Sequence, residues 1–420
     1  MKTQKKTNCS MASQEESAEK RATVSIERLD GYDDFEKALA AVRNALAPFG
    51  GMGAFAHPGE KVLLKPNLVA PSKPELAVTT HPAIVRAVAR LVIEAGGSCY
   101  IGDGPGVGDT MTAAKGSGLA QVAEEEGAVI LDFRETAVYE NDANRVLKHL
   151  RLAEQLKGMD AIITLPKLKT HCQMAYTGAL KNQYGLVPGA AKGQFHFRFQ
   201  NRDTLADLIV DINRTAAPAL AIMDAVVGME GPGPSGGTPR QIGCLLASTD
   251  LAAVDTVACS IIGLDVADVP VSMAAQRAGF GVTDIAHIDI AGASLADVRI
   301  QGFKLVKAPL NIMRILPLPR FLLRWVRRQI APAPRINSER CIRCRRCEKG
   351  CPVSPAAIQP LAEGGPRLND AACIRCYCCH EFCPVKAIEL KKSLLARAIN
   401  LESLASAASR WLGKAARLFS

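Results

Sequence analysis

The sequence predicts an α/β protein: a mostly parallel sheet with helices on both faces, followed by a small α+β ferredoxin-like domain. Three observations carry this expectation. Short apolar runs alternate with amphipathic helical stretches from about residue 60 to 265, the pattern of a sheet wound with crossover helices. Several of the apolar runs turn polar at their last residues, where a parallel sheet opens its ligand edge. The spacing C-x2-C-x2-C-x3-C-P is written twice, from Cys341 to Pro352 and from Cys373 to Pro384.

Taken in order, residues 22–28 (ATVSIER) alternate and read as a strand. Residues 33–47 read as a helix running into a loop at Gly50, Gly51 and Gly53. VLLKPNLV at 62–69 is a buried-strand run that delivers Lys65, Pro66 and Asn67 at its end. Helical spacing over 81–97 follows, with His81 before Pro82 as the cap and glycine as the stop. SCYIGDGPG at 98–106 is a strand ending in Asp103 and a glycine-rich turn, and AVILDF at 128–133 is another. AIITLPKLKTH at 161–171 repeats the design with Lys167, Lys169 and His171, and Lys181 and Asn182 follow in a polar stretch. Residues 203–216 read as a helix, and 219–237 as a strand carrying Asp224 and then a glycine-rich loop. CLLAST at 244–249 is a strand. The helix after it, 250–263, starts at Asp250 as N-cap and carries Asp255.

The doubled cysteine run has the ligand spacing of a ferredoxin with two [4Fe–4S] clusters. Three closely spaced thiolates wrap one cube, and the fourth reaches the other. This assigns Cys341, Cys344, Cys347 and Cys383 to one cluster and Cys373, Cys376, Cys379 and Cys351 to the second. Zinc competes for paired C-x2-C, but it uses two pairs per ion rather than two runs of four each closed by proline. The remaining cysteines are Cys9, Cys99, Cys172, Cys244, Cys259 and Cys378, most of them in apolar runs that suit buried thiols. Cys378, between two ligands, reads as a spare thiol packed near a cluster.

A chain of 420 residues with 48% hydrophobic and 22% charged residues is a globular protein of two or three domains. Free thiols and oxygen-sensitive clusters suit a reducing cytoplasm. Residues 1–20 are polar, lack the apolar core of a signal peptide and read as a disordered leader. The α/β domain spans 21–304, a basic amphipathic linker 305–334, the dicluster domain 335–390, and a basic amphipathic helix 391–420. Net charge is +10, with much of the excess toward the carboxyl end. That basicity suits an acidic redox partner protein or peripheral contact with an anionic membrane, the alternative being packing of these segments on the protein itself. Nucleic acid is not expected, since no helix-turn-helix, RNP motif or finger is present.

Lysines recurring at strand ends point to a small anionic ligand, phosphate or carboxylate. The turns at 102–109 and 228–237 would let backbone N–H groups approach it. Neither is a P-loop, and GDGPGV places Val107 where a dinucleotide fingerprint has its third glycine. No G-x-S-x-G elbow supports a serine triad.

With LLKPNL (63–68), LPKLKTH (165–171), TGALKNQYG (177–185), GPGPSGG (231–237), STDLAAVD (248–255) and the doubled cysteine run, the chain resembles the DUF362 family fused to a C-terminal 4Fe-4S dicluster domain. The resemblance covers about 60–390 and implies a cytosolic iron–sulfur protein of bacterial or archaeal type, with no reaction assigned. It favours Lys65, Asn67, Lys167, Lys169, His171, Lys181, Asn182, Asp224 and Asp255 as site positions. CIRCYCCHEFC, Cys378 included, resembles the second cysteine run of such fusions.

The first functional expectation is an iron–sulfur oxidoreductase or electron-transfer subunit serving that anionic ligand. Lys65, Lys167, Lys169 and Lys181 would bind it, Asn67 and Asn182 orient it, and His171 move a proton. Lys65, Lys167, His171 and Lys181 should then surround one pocket, with Asp103 and Asp224 at the same edge and a cluster cysteine facing it. The alternatives are an electron carrier that docks a redox partner, and a ligase- or maturase-like enzyme with structural clusters.

Overall fold

The computed structural model describes residues 20–106, 108–306, 331–359, 366–391 and 393. The leader, most of the basic linker and nearly all of the C-terminal basic stretch lie outside the described residues.

The strands run in chain order as β1 (Ala22–Arg28), β2 (Lys61–Pro66), β3 (Ser98–Gly102), β4 (Val129–Leu131), a separate hairpin of β5 (Thr136–Glu140) and β6 (His149–Ala153), then β7 (Ala161–Leu165), β8 (Lys167–His171), β9 (Ala175–Thr177), β10 (Leu220–Glu230), β11 (Thr238–Ser248) and β12 (Ile288–Gly292). The main sheet has the order β12-β1-β11-β10-β7-β2-β3-β4, with β8 and β9 paired off this path. Pairing is parallel across β10, β7, β2, β3 and β4 and between β1 and β12. The departures from the parallel pattern are β9, antiparallel to β8, and β11, antiparallel to both β1 and β10. The loop after β10 is short enough to return the chain as a hairpin, and a parallel crossover needs many more residues.

Helices α1 (Phe35–Leu46), α2 (Pro82–Glu94), α3 (Thr110–Ser117), α4 (Leu119–Glu126), α5 (Ala179–Asn182), α6 (Gly189–Arg198), α7 (Arg202–Ala216), α8 (Leu251–Ile262) and α9 (Pro270–Ala278) complete the unit. Alternation along β2 decides the layering. Val62 and Leu64 belong to one buried core with α1, α2 and α4, and Leu63 to another with α7, α8 and α9. Helices therefore cover both faces. The expected caps form: the Asp250 carboxylate accepts from Ala252 N and Ala253 N at 3.0 Å, and His81 Nδ1 accepts from Ala83 N at 3.2 Å.

The stretch 161–171 is two strands rather than one. Pro166 has no N–H for the ladder, and the chain leaves β7 there to pair β8 with β10 and with β9. Lys167, Lys169 and His171 thus sit on β8 itself, beyond the carboxyl ends of β2 and β7.

The cysteine-rich module is tied at its ends by antiparallel β13 (Ala333–Ile336) and β16 (Ile388–Lys391), with β14 (Ile358–Gln359) and β15 (Arg367–Leu368) as a second ladder. Its first strand begins inside the stretch read as linker. Ile358, Cys379 and Ile388 form its small core.

Candidate functional site

The two cysteine runs take the same backbone path. Arg343 and Arg345 in the first and Arg375 and Tyr377 in the second are left-handed, with φ of 55°, 60°, 56° and 63°. Left-handed residues between ligands turn successive N–H groups inward, the concavity that receives iron–sulfur sites. A short helix follows each, Arg346–Lys349 and Cys378–Glu381. The fourth cysteines are equivalent too: Cys351 Sγ accepts from Ala357 N at 3.3 Å and Cys383 Sγ from Ala387 N at 3.1 Å. No described cysteine is in a disulfide. These features fit iron–sulfur ligation.

The glycine-rich loop after β10 carries this module rather than a ligand. Ser235 Oγ donates to Glu381 O at 2.8 Å, Lys386 Nζ donates to Gly237 O at 3.1 Å, and His380 Nε2 lies 3.1 Å from Pro232 O. A Cβ on Gly236 would stand 3.0 Å from the His380 ring.

Between module and sheet edge lies a cavity of about 610 Å³. Its walls on the α/β side include Asn67, Asp103, Lys169, His171, Lys181 and Asn182, all expected from sequence. The module contributes Cys351, Cys378, Glu381 and Phe382. Of the cysteines, Cys351, the last of the first run, and Cys378, within the second run, line the cavity.

Lys65 and Lys167 are not among the lining residues, which corrects the expectation that they meet the ligand. Lys65 is fully buried and pairs with Asp103 at 2.8 Å, also donating to Asn182 Oδ1 at 3.2 Å. Lys167 pairs with Asp224 at 2.7 Å and donates to Tyr32 OH at 2.9 Å. Asp224 further accepts from Tyr32 OH at 2.7 Å and His81 N at 2.9 Å. Burial pushes its carboxyl up, but Lys167 and these donors outweigh it and hold the pKa below the ordinary value. Asp224 is therefore a charge anchor behind the cavity. Asp255 is also displaced: it caps α5, accepting from Ala179 N at 2.6 Å, Leu180 N at 3.0 Å and Tyr176 OH at 3.3 Å. With no cation at hand, burial pushes its carboxyl up to about 7.

Lys169 behaves differently from Lys65 and Lys167. It is buried and donates to Asn67 Oδ1 at 2.5 Å and Val78 O at 2.6 Å, but no carboxylate pairs with it among the described residues. Burial lowers its pKa well below the ordinary value, and Lys181 adds to this. Lys181, lying 5.8 Å from the Tyr184 ring, likewise has no ion pair among the described residues. Asn67 and Asn182 are tied together, Nδ2 to Oδ1, at 3.1 Å, so the two amides and Lys169 form one rigid set.

His171 is also corrected as a freely tunable proton carrier. Its Nδ1 accepts from Gln173 N at 3.1 Å and Met174 N at 3.3 Å, which fixes the proton on Nε2, 3.4 Å from Glu381 Oε1. Burial lowers its pKa well below the ordinary value, with Lys181 and Lys169 adding to this, so it stays neutral. It works as a fixed N–H donor.

Sequence reading missed Lys192, His196, Arg346, Lys349 and Glu381, which also line the cavity. Lys192 donates to Gly104 O, and burial lowers its pKa to about 8. Five basic side chains, Lys169, Lys181, Lys192, Arg346 and Lys349, line the cavity against two carboxylates, Asp103 and Glu381. The turn at 102–109 does not cradle an anion with Gly104 and Gly106, whose N–H groups are taken by Gly185 O and Val69 O at 2.9 Å. A Cβ at Gly106 would stand 2.5 Å from the Phe382 ring, so this glycine permits the close approach of the module.

Fold and site together define a two-part protein, an α/β unit whose sheet edge is roofed by a cysteine-rich iron–sulfur module. The sequence model described as Domain of unknown function (DUF362) matches residues 62–260, and that of the 4Fe-4S dicluster domain matches 333–384. The chain is 38% identical over 262 residues to Thylakoid-associated protein sll1697 of Synechocystis sp. (strain ATCC 27184 / PCC 6803 / Kazusa), covering 62% of this chain and 81% of that one. The chain belongs to the DUF362 family and is an iron–sulfur protein. Among solved structures, the lactate racemase apoprotein from Thermoanaerobacterium thermosaccharolyticum aligns with TM-score 0.37 and 14% identity over 56% of each chain. A Thermotoga maritima protein aligns with TM-score 0.34 and 11% identity over 53% of this chain and 57% of that one. The chain thus spans little more than half the length of either. Among the described residues no helix is long and apolar enough to cross a membrane.

Proposed function

We propose that this is a cytoplasmic electron-transfer protein, an oxidoreductase acting on a small anionic ligand held between the α/β unit and two [4Fe–4S] clusters. Cys341, Cys344, Cys347 and Cys383 hold one cluster, and Cys373, Cys376, Cys379 and Cys351 the other. Bound clusters supply one-electron chemistry at low potential. The chain's own residues do the rest. Lys169 and Lys181 attract the anion, Asn67 and Asn182 set their positions, and His171 offers a fixed N–H. Phe382 and Tyr184 narrow the space and limit water. The observation that carries the reading is that Cys351 and Cys378 line the same cavity as Lys169 and Lys181.

Anaerobic purification tests it. Iron and sulfide should each reach about eight per chain. Cys378→Ala should keep both, and Cys351→Ser should perturb the cluster of Cys373, Cys376 and Cys379. Mass spectrometry of released small molecules should find an anion, depleted in a Lys169→Met/Lys181→Met variant. Zinc without sulfide sinks the cluster reading; a ligand retained equally by the variant sinks the site.

The basic segments add peripheral contact with anionic membrane, a reading supported by the name of the Synechocystis relative, a thylakoid-associated protein. Anionic liposomes should retain the protein at low salt and release it at high salt. Equal retention by neutral liposomes refutes this.

A further inference from the structure

The two cysteine sets differ in how they meet solvent. In the second set Cys379 is buried, and Cys351 faces the internal cavity. In the first set Cys344 is exposed, the one exposed thiol among the described cysteines. Beside it stands Ile342, 61% exposed and the most exposed large apolar side chain among the described residues. Arg343, also exposed, has no partner among the described residues, while neighbouring Arg345 is tied to Glu348 at 2.7 Å. Arg340 is exposed in the same segment, 3.5 Å from Glu389.

We propose that this face, centred on Ile342, Arg343 and Cys344, docks a small acidic one-electron carrier protein. An apolar centre flanked by unpaired arginine suits a partner with a carboxylate-rimmed apolar patch. The first cysteine set is then the partner side of the module and the second the ligand side. This inference rests on the cluster assignment proposed above.

The test is binding rather than turnover. The full-length, anaerobically reconstituted protein is titrated calorimetrically with oxidised flavodoxin, which is acidic and carries no iron, at low and high salt. A complex that weakens with salt is expected, and Ile342→Asp/Arg343→Glu should weaken it by roughly tenfold or more. Lys61→Glu, at the amino end of β2, should leave binding unchanged. Because residue 343 is a left-handed position beside a ligand, iron and sulfide are counted in every sample, and Arg343→Asn serves as a milder second variant. If the counts are those of two clusters, then salt-independent binding, no binding, or wild-type affinity in both variants overturns the docking face. Low counts in the wild-type protein overturn the cluster assignment instead.

Discussion

Lys167 and Lys169 lie two residues apart on one strand, both buried, and they do opposite things. Lys167 reaches back to Asp224 and Tyr32, closing a charge-balanced network behind the sheet edge. Lys169 reaches toward Asn67 and Val78 and has no carboxylate partner among the described residues. Lys65 repeats the first arrangement with Asp103. A buried ammonium with a carboxylate belongs to the architecture; one without a carboxylate is destabilised until an anion arrives.

The largest test of this contrast is stability. Lys167→Met leaves the Asp224 carboxylate buried without its cation and should cost about 3–5 kcal/mol, read by denaturant unfolding. The paired replacement Lys167→Met/Asp224→Leu should recover most of that loss. If the single and double variants lose equally, the ion pair is not the anchor. Lys169→Met should cost markedly less, because removing an unmatched charge offsets the donors lost by Asn67 and Val78. A cost as large as that of Lys167→Met would place Lys169 in the scaffold and remove it from the site. Its functional effect should be the larger one, a roughly tenfold or greater loss of anion affinity, as expected for a charged hydrogen bond.

Two carboxylates sharpen the contrast through pH. Asp224 is held below its ordinary value of 3.8, so its contribution is present above 3.8 and lost as pH falls through the folded value. Asp255 is pushed up to about 7 from 3.8, so the folded state binds more protons in that interval and stability falls as pH rises across it. Unfolding free energy followed from pH 4 to pH 8 should therefore show a downward slope that Asp255→Asn removes. A slope unchanged in the variant would mean that Asp255 is ionised throughout.

Much of this was legible in the sequence, for physical reasons. The alternation of apolar runs and helices fixes the layering, and the cysteine spacing is set by ligand geometry. Asn67, Asp103, Lys169, His171, Lys181 and Asn182 end at one cavity because β2, β3 and β7 are parallel and open on one edge. What a linear pattern does not carry is side-chain direction past a break. Pro166 turns the chain off β7, so that Lys167 and Lys169 take different environments while looking alike in KLKTH. Asp224 and Asp255 carry the same polar signal as ligand residues, but they answer to Lys167 and to the first turn of α5. Lys192, His196 and Glu381 were missed because nothing local marks them. They reach the cavity only through α6 and through docking of the module onto the 231–237 loop. The glycines at 104 and 106 are placed for close packing, a use indistinguishable in sequence from an anion-binding turn.

In the proposed function the second cysteine set and the unpaired lysines share one site. Its most direct test is an anaerobic redox titration followed by electron paramagnetic resonance, comparing the wild-type protein with Lys181→Met at neutral pH. Removing a positive charge beside one cluster disfavours its reduced, more negative state. One of the two midpoint potentials should move downward, that of the cluster perturbed by Cys351→Ser, while the other stays in place. Potentials that both stay fixed, or that shift together, would contradict it.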